Sequence, residues 1–129
     1  MSAFDPSYVL LYVQDPQASA AAYQRLLGQA PVELSPTFAL FVLPSGRKLG
    51  LWQQAGVLPV AEGQGARGEL CSTVADLAAL EAAQTAGVAA GWTLIQPITE
   101  MDFGTTLVLA DIDGHRLRYF VPAQAEGGV

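Results

Sequence analysis

Residues 38–53 read FALFVLPSGRKLGLWQ and residues 104–121 read GTTLVLADIDGHRLRYFV, and these two stretches determine the fold. Each contains two apolar strand-like runs joined by a turn, which holds Pro44-Ser45-Gly46 in the first stretch and Asp113-Gly114 in the second. Aligning the closing strands places Lys48, Gly50 and Trp52 opposite Arg116, Arg118 and Phe120. The chain therefore contains the same hairpin twice.

A strand and a helix precede each hairpin. Residues 7–14 carry apolar side chains on both faces, which is typical of a strand covered on both sides, and Asp15-Pro16 then begins a helix that Gly28 ends. In the second half, the pattern predicts a strand over 69–75, a helix N-cap at Asp76 and a helix over 77–86 that Gly87 ends. The remaining strands are predicted at 32–35, 38–43, 48–53, 92–96, 104–110 and 116–121.

These elements predict one α+β domain over residues 1–129, built from two tandem βαβββ modules. The first module covers 7–54 and the second covers 69–122. The Gly- and Pro-bearing stretch 55–68 is predicted to be a linker, and residues 123–129 are predicted to be a frayed tail.

Composition excludes several classes of protein. Of the residues, 51% are hydrophobic and 14% are charged, which suits a folded domain, and the net charge of −6 with scattered cations argues against a nucleic-acid partner. No apolar run has the roughly 20 residues of a membrane span, and residues 1–5 lack the features of a signal peptide, so we expect a cytoplasmic protein without a membrane partner. One Cys and one His provide neither a disulfide nor an imidazole-rich metal centre.

The repeated module and its ending, Asp111-Ile112-Asp113-Gly114-His115-Arg116-Leu117-Arg118, resemble the vicinal oxygen chelate superfamily, which includes glyoxalase I, extradiol dioxygenases and bleomycin resistance proteins. The resemblance covers roughly residues 7 to 122 and implies curved mixed sheets that enclose a cavity. Within the superfamily, residues 49–52, 59–62 and 102–104 together with 113–115 look most like bacterial phenazine-antibiotic resistance proteins, which bind their ligand without altering it.

Enzymes of that superfamily hold a divalent metal with one ligand on each of four equivalent strands. Carried onto this sequence, the resemblance places those positions at Tyr8, Gly50, Glu69 and Arg118. Only Glu69 is a metal ligand by type, and Arg118 introduces a permanent cation. The sequence therefore predicts no metal ion and no other cofactor.

Strand alternation predicts which side chains share a face with those four positions. The hairpin over residues 38–53 adds Phe38 and Leu40 to this face if its turn is a three-residue loop with a left-handed glycine. A slip of one residue would place Ala39 and Phe41 on the face instead. A loop over residues 99–103 adds two further side chains at the rim. The predicted ligand-binding residues are Trp52, Tyr8, Gly50, Phe38, Leu40, Tyr12, Glu69, Arg118, Met101 and Phe103.

This residue set predicts an aromatic-lined site that binds and sequesters a planar aromatic small molecule, such as a phenazine antibiotic, without a metal. Trp52 and Tyr8 are expected to stack on the ligand, Gly50 to leave space for it, and Glu69 with Arg118 to form an ion pair that orients a polar substituent. No catalytic residue is assigned, which favours a binding protein over an enzyme.

Two enzyme readings remain open at this point. One is a metal-dependent lyase or dioxygenase whose missing ligands come from a second chain or from unusual residues. The other is a metal-free enzyme in which Glu69 acts as a base near Tyr8. His115 is expected to be a hairpin residue and Cys71 a small buried residue. The resemblance also implies a homodimer with exchanged modules.

Overall fold

The computed structural model describes residues 6–61, 63 and 68–123, which contain two α-helices and eight strands. The first half comprises β1 (Tyr8–Val13), α1 (Pro16–Leu27), β2 (Glu33–Leu34), β3 (Phe38–Val42), β4 (Lys48–Gln53) and a 3₁₀ turn at Gln54–Gly56. The second half comprises β5 (Glu69–Thr73), α2 (Leu77–Ala89), β6 (Thr93–Met101), β7 (Gly104–Ala110) and β8 (Arg116–Pro122). The α+β class and the two tandem βαβββ modules are confirmed.

The chain divides into two units, Met1–Gln64 and Gly65–Val129, and the boundary falls in the predicted linker 55–68. Part of that linker and residues 124–129 of the predicted tail lie outside the described residues. Each unit holds one four-stranded sheet, with the order β1-β4-β3-β2 in the first and β5-β8-β7-β6 in the second. The parallel pairs are β1 with β4 in the first sheet and β5 with β8 in the second, and the other pairs are antiparallel.

Local sequence signals position helix α1. The Asp15 carboxylate accepts hydrogen bonds from the backbone N–H groups of Gln17 and Ala18, and Pro16 occupies the first helical position. Gly28 ends the helix in a left-handed conformation with φ of 71°. Neither described α-helix has the length and apolar character of a membrane-spanning helix.

Helix α1 packs on one face of the first sheet and forms the core of that unit. Its Tyr23 ring lies 6.4 Å from the ring of Phe41 on β3, measured between centroids. The alternate residues of the strands complete this core, and all are buried: Val13, Ala39, Leu49 and Leu51. Apolar burial of this kind stabilises the unit by about 25 cal/mol per Å² removed from water.

Helix α2 ends three residues later than the sequence predicts, because Gly87 lies inside the helix rather than after it. A Cβ atom at Gly87 would lie 2.3 Å from Cδ1 of the buried Leu109, so this glycine lets the helix approach the sheet closely. The helix is ended instead by Gly91, which has φ of 90°, and by the hydrogen bond from the Trp92 N–H to the Gly87 carbonyl.

Strand β6 is also longer than predicted. It was expected to end at residue 96 and to be followed by a loop over 99–103, but it continues through Pro97 to Met101. Pro97 is tolerated because β6 is the edge strand of its sheet, and the register shifts between Leu94 and Gln96 and again between Gln96 and Thr99. Only Asp102 and Phe103 remain in the turn before β7.

Candidate functional site

The first sheet leaves its second face uncovered by helix α1. The apolar residues of β1 on this face are exposed, Tyr8 by 50%, Leu10 by 43% and Tyr12 by 42%. The prediction that β1 is covered on both sides is therefore wrong, because α1 shields only the side chains that alternate with these three. We call this surface the aromatic face; it consists of Tyr8, Leu10, Tyr12, Phe38, Leu40, Lys48, Gly50 and Trp52.

Trp52 and Tyr12 form the aromatic end of this face. They are paired across the parallel strands β1 and β4, and their rings meet edge to face with centroids 6.3 Å apart and planes inclined by 79°. Phe38 lies opposite Trp52 on the other side, so three aromatic residues share one row across three strands.

The hairpin between β3 and β4 has the register that the three-residue loop predicts. Gly46 has φ of 91°, and its N–H donates to the Leu43 carbonyl, as a left-handed glycine in such a loop requires. Phe38 therefore pairs with Trp52 and Leu40 with Gly50. The slipped alternative is wrong, since Ala39 and Phe41 are fully buried on the helix side.

Gly50 does not leave open space. A Cβ atom there would lie 2.6 Å from Cδ2 of Leu10 and 3.0 Å from Cζ of Phe38. The space that the sequence assigns to a ligand is filled by these two side chains, which converge over the glycine from the flanking strands. Gly50 thus serves the aromatic face by allowing its neighbours to meet above it.

Lys48 occupies the opposite end of the aromatic face. Its ammonium lies 5.1 Å from the centroid of the Tyr8 ring, which is the geometry of a cation–π contact. Tyr8 is its direct partner on β1. The face therefore has a cation and a phenol at one end and an aromatic row at the other.

The second sheet carries the predicted ion pair. The Arg118 Nε lies 2.5 Å from Oε1 of Glu69, and its second terminal nitrogen lies 3.4 Å from Oε2. The same guanidinium donates through its other terminal nitrogen to Gln96 Oε1 and to Thr106 Oγ1, each at 3.1 Å. Arg118 is thus held from three strands, in a forked geometry that lysine does not provide.

Gln96 and Thr106 are site residues that the sequence does not predict. Both are polar residues within strands that otherwise alternate apolar side chains, and this pattern was the available signal. Thr106 is fully buried, and its hydroxyl donates to the Tyr119 carbonyl while it accepts from Arg118. The network has no unsatisfied member among the buried side chains of the described residues.

Phe103 lies over this network. Its ring is 5.5 Å from the central carbon of the Arg118 guanidinium, and it meets Phe120 edge to face at 5.4 Å. Met101, two residues earlier, accepts a hydrogen bond at its sulfur from Gln96 Nε2. Met101 lies at the end of β6 and Phe103 lies in the turn that follows. Both predicted rim residues therefore adjoin the Arg118 network, Met101 through Gln96 and Phe103 through Arg118 itself.

The four positions that correspond to metal ligands do not fit a divalent ion. Tyr8 offers only a phenol, Gly50 has no side chain, and the Glu69 carboxylate is already paired with Arg118. Within residues 6–61, 63 and 68–123, no three His, Cys, Asp or Glu side chains cluster as metal ligands do. The hydrogen bond from Arg118 also lowers the pKa of the Glu69 carboxyl, against the opposing effect of burial, which makes this group a weak base.

Cys71 is exposed, and the prediction that it is buried is wrong. It lies on β5, an edge strand, with its sulfur 3.7 Å from Oε1 of Glu69. Desolvation raises the pKa of this thiol, and the Glu69 carboxylate adds to the effect. Cys71 is therefore a thiol with little thiolate character rather than an activated nucleophile.

His115 belongs to the second hairpin, as predicted. The Asp111 side chain is nearly fully buried. Its Oδ1 accepts hydrogen bonds from the backbone N–H groups of Asp113 and His115. Its Oδ2 lies 2.9 Å from Nδ1 of His115. This hydrogen bond raises the pKa of His115 above 6.5, with burial acting in the opposite direction. The pair closes the turn between β7 and β8.

We expect the Asp111–His115 pair to make folding pH-dependent. Because the folded pKa of His115 is raised, its contribution to the free energy of unfolding is complete below the unfolded pKa of about 6.5 and is lost as pH rises through the folded pKa. Urea unfolding at about pH 5 and about pH 8 measures this loss. Asp111→Asn keeps an acceptor at Oδ1 and removes the charge, so the loss should vanish in that variant; an equal loss in both proteins contradicts the assignment.

With this geometry established, comparison with known proteins identifies the family. The model of the glyoxalase/bleomycin resistance protein/dioxygenase superfamily matches residues 6–119, which is most of the chain. The chain belongs to this superfamily. The fold class implied by the resemblance is thereby confirmed, and the two βαβββ modules are the superfamily's structural unit in this chain.

Solved structures of the superfamily's fold support the same conclusion. A protein from Agrobacterium tumefaciens, solved by NMR in solution, is 43% identical, with 93% of this chain and 98% of that chain covered and a TM-score of 0.84. A glyoxalase-related enzyme from Fulvimarina pelagi is 24% identical over 95% of this chain and 93% of its own, with a TM-score of 0.78. A lactoylglutathione lyase from Agrobacterium tumefaciens is 18% identical over 93% and 94%, with a TM-score of 0.71.

The two enzymes are similar to this chain in fold alone, since their sequence identity is below 25%. No curated protein matches the chain significantly. The site residues therefore carry the functional argument.

Proposed function

We propose that this superfamily member binds a planar aromatic small molecule, such as a phenazine antibiotic, without a metal ion and sequesters it unchanged. The observation that carries the proposal is the row of Tyr12, Trp52 and Phe38 on the exposed side of the first sheet. Three aromatic side chains held at fixed spacing on rigid strands present a platform on which a flat ring stacks.

Burial of apolar area supplies most of the binding free energy in this proposal. Removing apolar surface from water contributes about 25 cal/mol per Å², and an aromatic pair adds about 0.5–1.5 kcal/mol beyond that. Tyr8, Leu10 and Tyr12 are each more than two-fifths exposed, so a ligand has this surface to cover. Because the strands already fix the backbone of these residues, binding costs little additional conformational entropy.

The second sheet supports binding over catalysis. Glu69 is occupied by Arg118 and has a lowered pKa, so it is neither an available metal ligand nor an effective base. Cys71 has a raised pKa and is not an activated nucleophile. These observations favour the binding reading over the metal-dependent lyase or dioxygenase and over the metal-free enzyme. The homodimer stays a prediction from the resemblance.

Tryptophan fluorescence tests the proposal. The chain has two tryptophans, and Trp92 is buried in the second unit, so the variant Trp92→Phe leaves Trp52 as the sole reporter. We expect phenazine to quench Trp52 saturably and to an equal extent before and after treatment with a chelator. Absence of quenching across a panel of planar antibiotics contradicts the proposal, and so does binding that the chelator abolishes.

A further inference from the structure

Lys48 is a cation on an otherwise largely apolar surface. It is half-buried at the start of β4, and its ammonium lies against the Tyr8 ring rather than in an ion pair. Within the part of the chain that the structure describes, no carboxylate pairs with it, whereas Arg118 is neutralised by Glu69. A half-buried ammonium without a counter-ion attracts an anion more strongly than a fully hydrated one does.

Among the residues that the structure describes, Glu33 is the carboxylate on this face, and it lies too far away to neutralise Lys48. It pairs with Leu40 on β3, which in turn pairs with Gly50, so two strand spacings separate Glu33 from β4. Two spacings amount to about 10 Å, near the Debye length at physiological ionic strength. The Lys48 end of the aromatic face is therefore locally positive although the chain carries a net charge of −6.

The spacing of Lys48 and Trp52 indicates what fits between them. They are four residues apart on the same side of β4, a separation of about 13 Å at 3.3 Å per residue. A fused-ring aromatic acid stacked on Trp52 directs its carboxylate along this line toward the Lys48 ammonium, and the flexible lysine side chain closes the remaining distance. Tyr8, whose ring contacts the Lys48 ammonium, has a hydroxyl that can serve as a second donor for the same carboxylate.

We propose that the ligand is a planar aromatic carboxylate, oriented with its acid group at Lys48 and Tyr8 and its ring against Trp52. This inference rests on the proposed function and adds the charge and the direction of the ligand. The carboxylate gains a charge-assisted hydrogen bond in a partly desolvated position, and the lysine gains a counter-ion that none of the described residues supplies.

A matched set of ligands measures this preference. The probes are phenazine-1-carboxylate, its uncharged carboxamide and unsubstituted phenazine, titrated against the Trp92→Phe variant by Trp52 quenching. We expect the carboxylate to bind about 5- to 10-fold more tightly than the carboxamide, despite the protein's negative net charge. The preference should shrink as salt is raised.

Variants of matched charge assign the effect to Lys48. Lys48→Gln should reduce the preference to within about twofold, whereas Lys48→Arg should retain it because the positive charge remains. Arg25→Gln on the exposed side of α1 removes one charge from the same unit without touching the aromatic face, and it should leave the preference unchanged. A preference that survives Lys48→Gln overturns the inference.

The outcomes separate this inference from the proposed function. If phenazine binds and the carboxylate has no advantage over the carboxamide, the inference fails and the aromatic platform stands. If none of the three ligands quenches Trp52, the proposed function fails and the inference fails with it. Loss of all binding in Lys48→Gln with retained folding also overturns the inference, because the ring contribution of Trp52 should remain.

Discussion

Replacing Trp52 by Ala is expected to weaken phenazine binding by about 10- to 100-fold, which corresponds to about 1.4–2.7 kcal/mol. The indole lies in the middle strand of the aromatic row, with Tyr12 on one side and Phe38 on the other. Its removal deletes the stacking surface and also the edge-to-face partner of Tyr12, whose ring is then free to turn. Because Trp52 is partly exposed, the variant should fold.

Calorimetry measures this change, since Trp52→Ala removes the fluorescent reporter. The matched control is Trp52→Phe, which keeps an aromatic ring at the same place and should lose less than about tenfold in affinity. Circular dichroism of both variants checks that folding is retained. An affinity of Trp52→Ala within twofold of the wild type would show that the platform does not bind the ring.

Gly104→Ala is expected to reduce the free energy of unfolding by about 3 kcal/mol or more. Gly104 begins β7 with φ of 145°, a conformation that residues with a side chain rarely adopt. A Cβ atom there would lie 2.0 Å from the Val121 carbonyl oxygen and 2.9 Å from the Ala123 nitrogen. Both obstacles are backbone atoms of the paired strand and its end, so relief requires the hairpin to separate from β8.

Gly46→Ala is the matched control for that substitution. Gly46 also has a positive φ, of 91°, but a Cβ atom there meets nothing within 4 Å. We therefore expect Gly46→Ala to cost only the backbone strain, about 1–2 kcal/mol. Urea unfolding measures the free energy of unfolding of both variants. An equal loss in the two would contradict the prediction, because it would mean that the contact with Val121 adds nothing to the backbone strain. The Gly104 variant should also release Phe103, whose carbonyl accepts from the Ala123 N–H.

The elements with local signals were predictable from the sequence. The caps Asp15 and Gly28 and the left-handed glycine Gly46 fix helix ends and a hairpin register through backbone chemistry that involves only near neighbours. From that register, strand alternation placed Phe38 and Leu40 on the aromatic face. The Glu69–Arg118 pair followed from the parallel pairing of the first and last strands of the second module, β5 and β8.

The errors came from contacts between residues distant in sequence. Gly87 looks like a helix stop, but its role is set by Leu109, more than twenty positions later, which packs against it. The openness of Gly50 was misjudged because the side chains of two other strands decide it. Gln96 was missed because it meets Arg118 across β7, through the pairing of β6 with β7 and of β7 with β8, which is not a local property.

The two sheets differ in how they respond to mutation. The aromatic face is built largely from partly exposed side chains, so under the proposed function we expect substitutions there to change ligand preference at a small cost in folding. The Arg118 network joins β5, β6, β7 and β8 through one guanidinium, and losing Arg118 breaks the ion pair with Glu69 and the hydrogen bonds to Gln96 and Thr106 together. Under the proposed function, new ligand specificities are therefore accessible mainly through the first module, while the second module supplies a polar framework that tolerates little change.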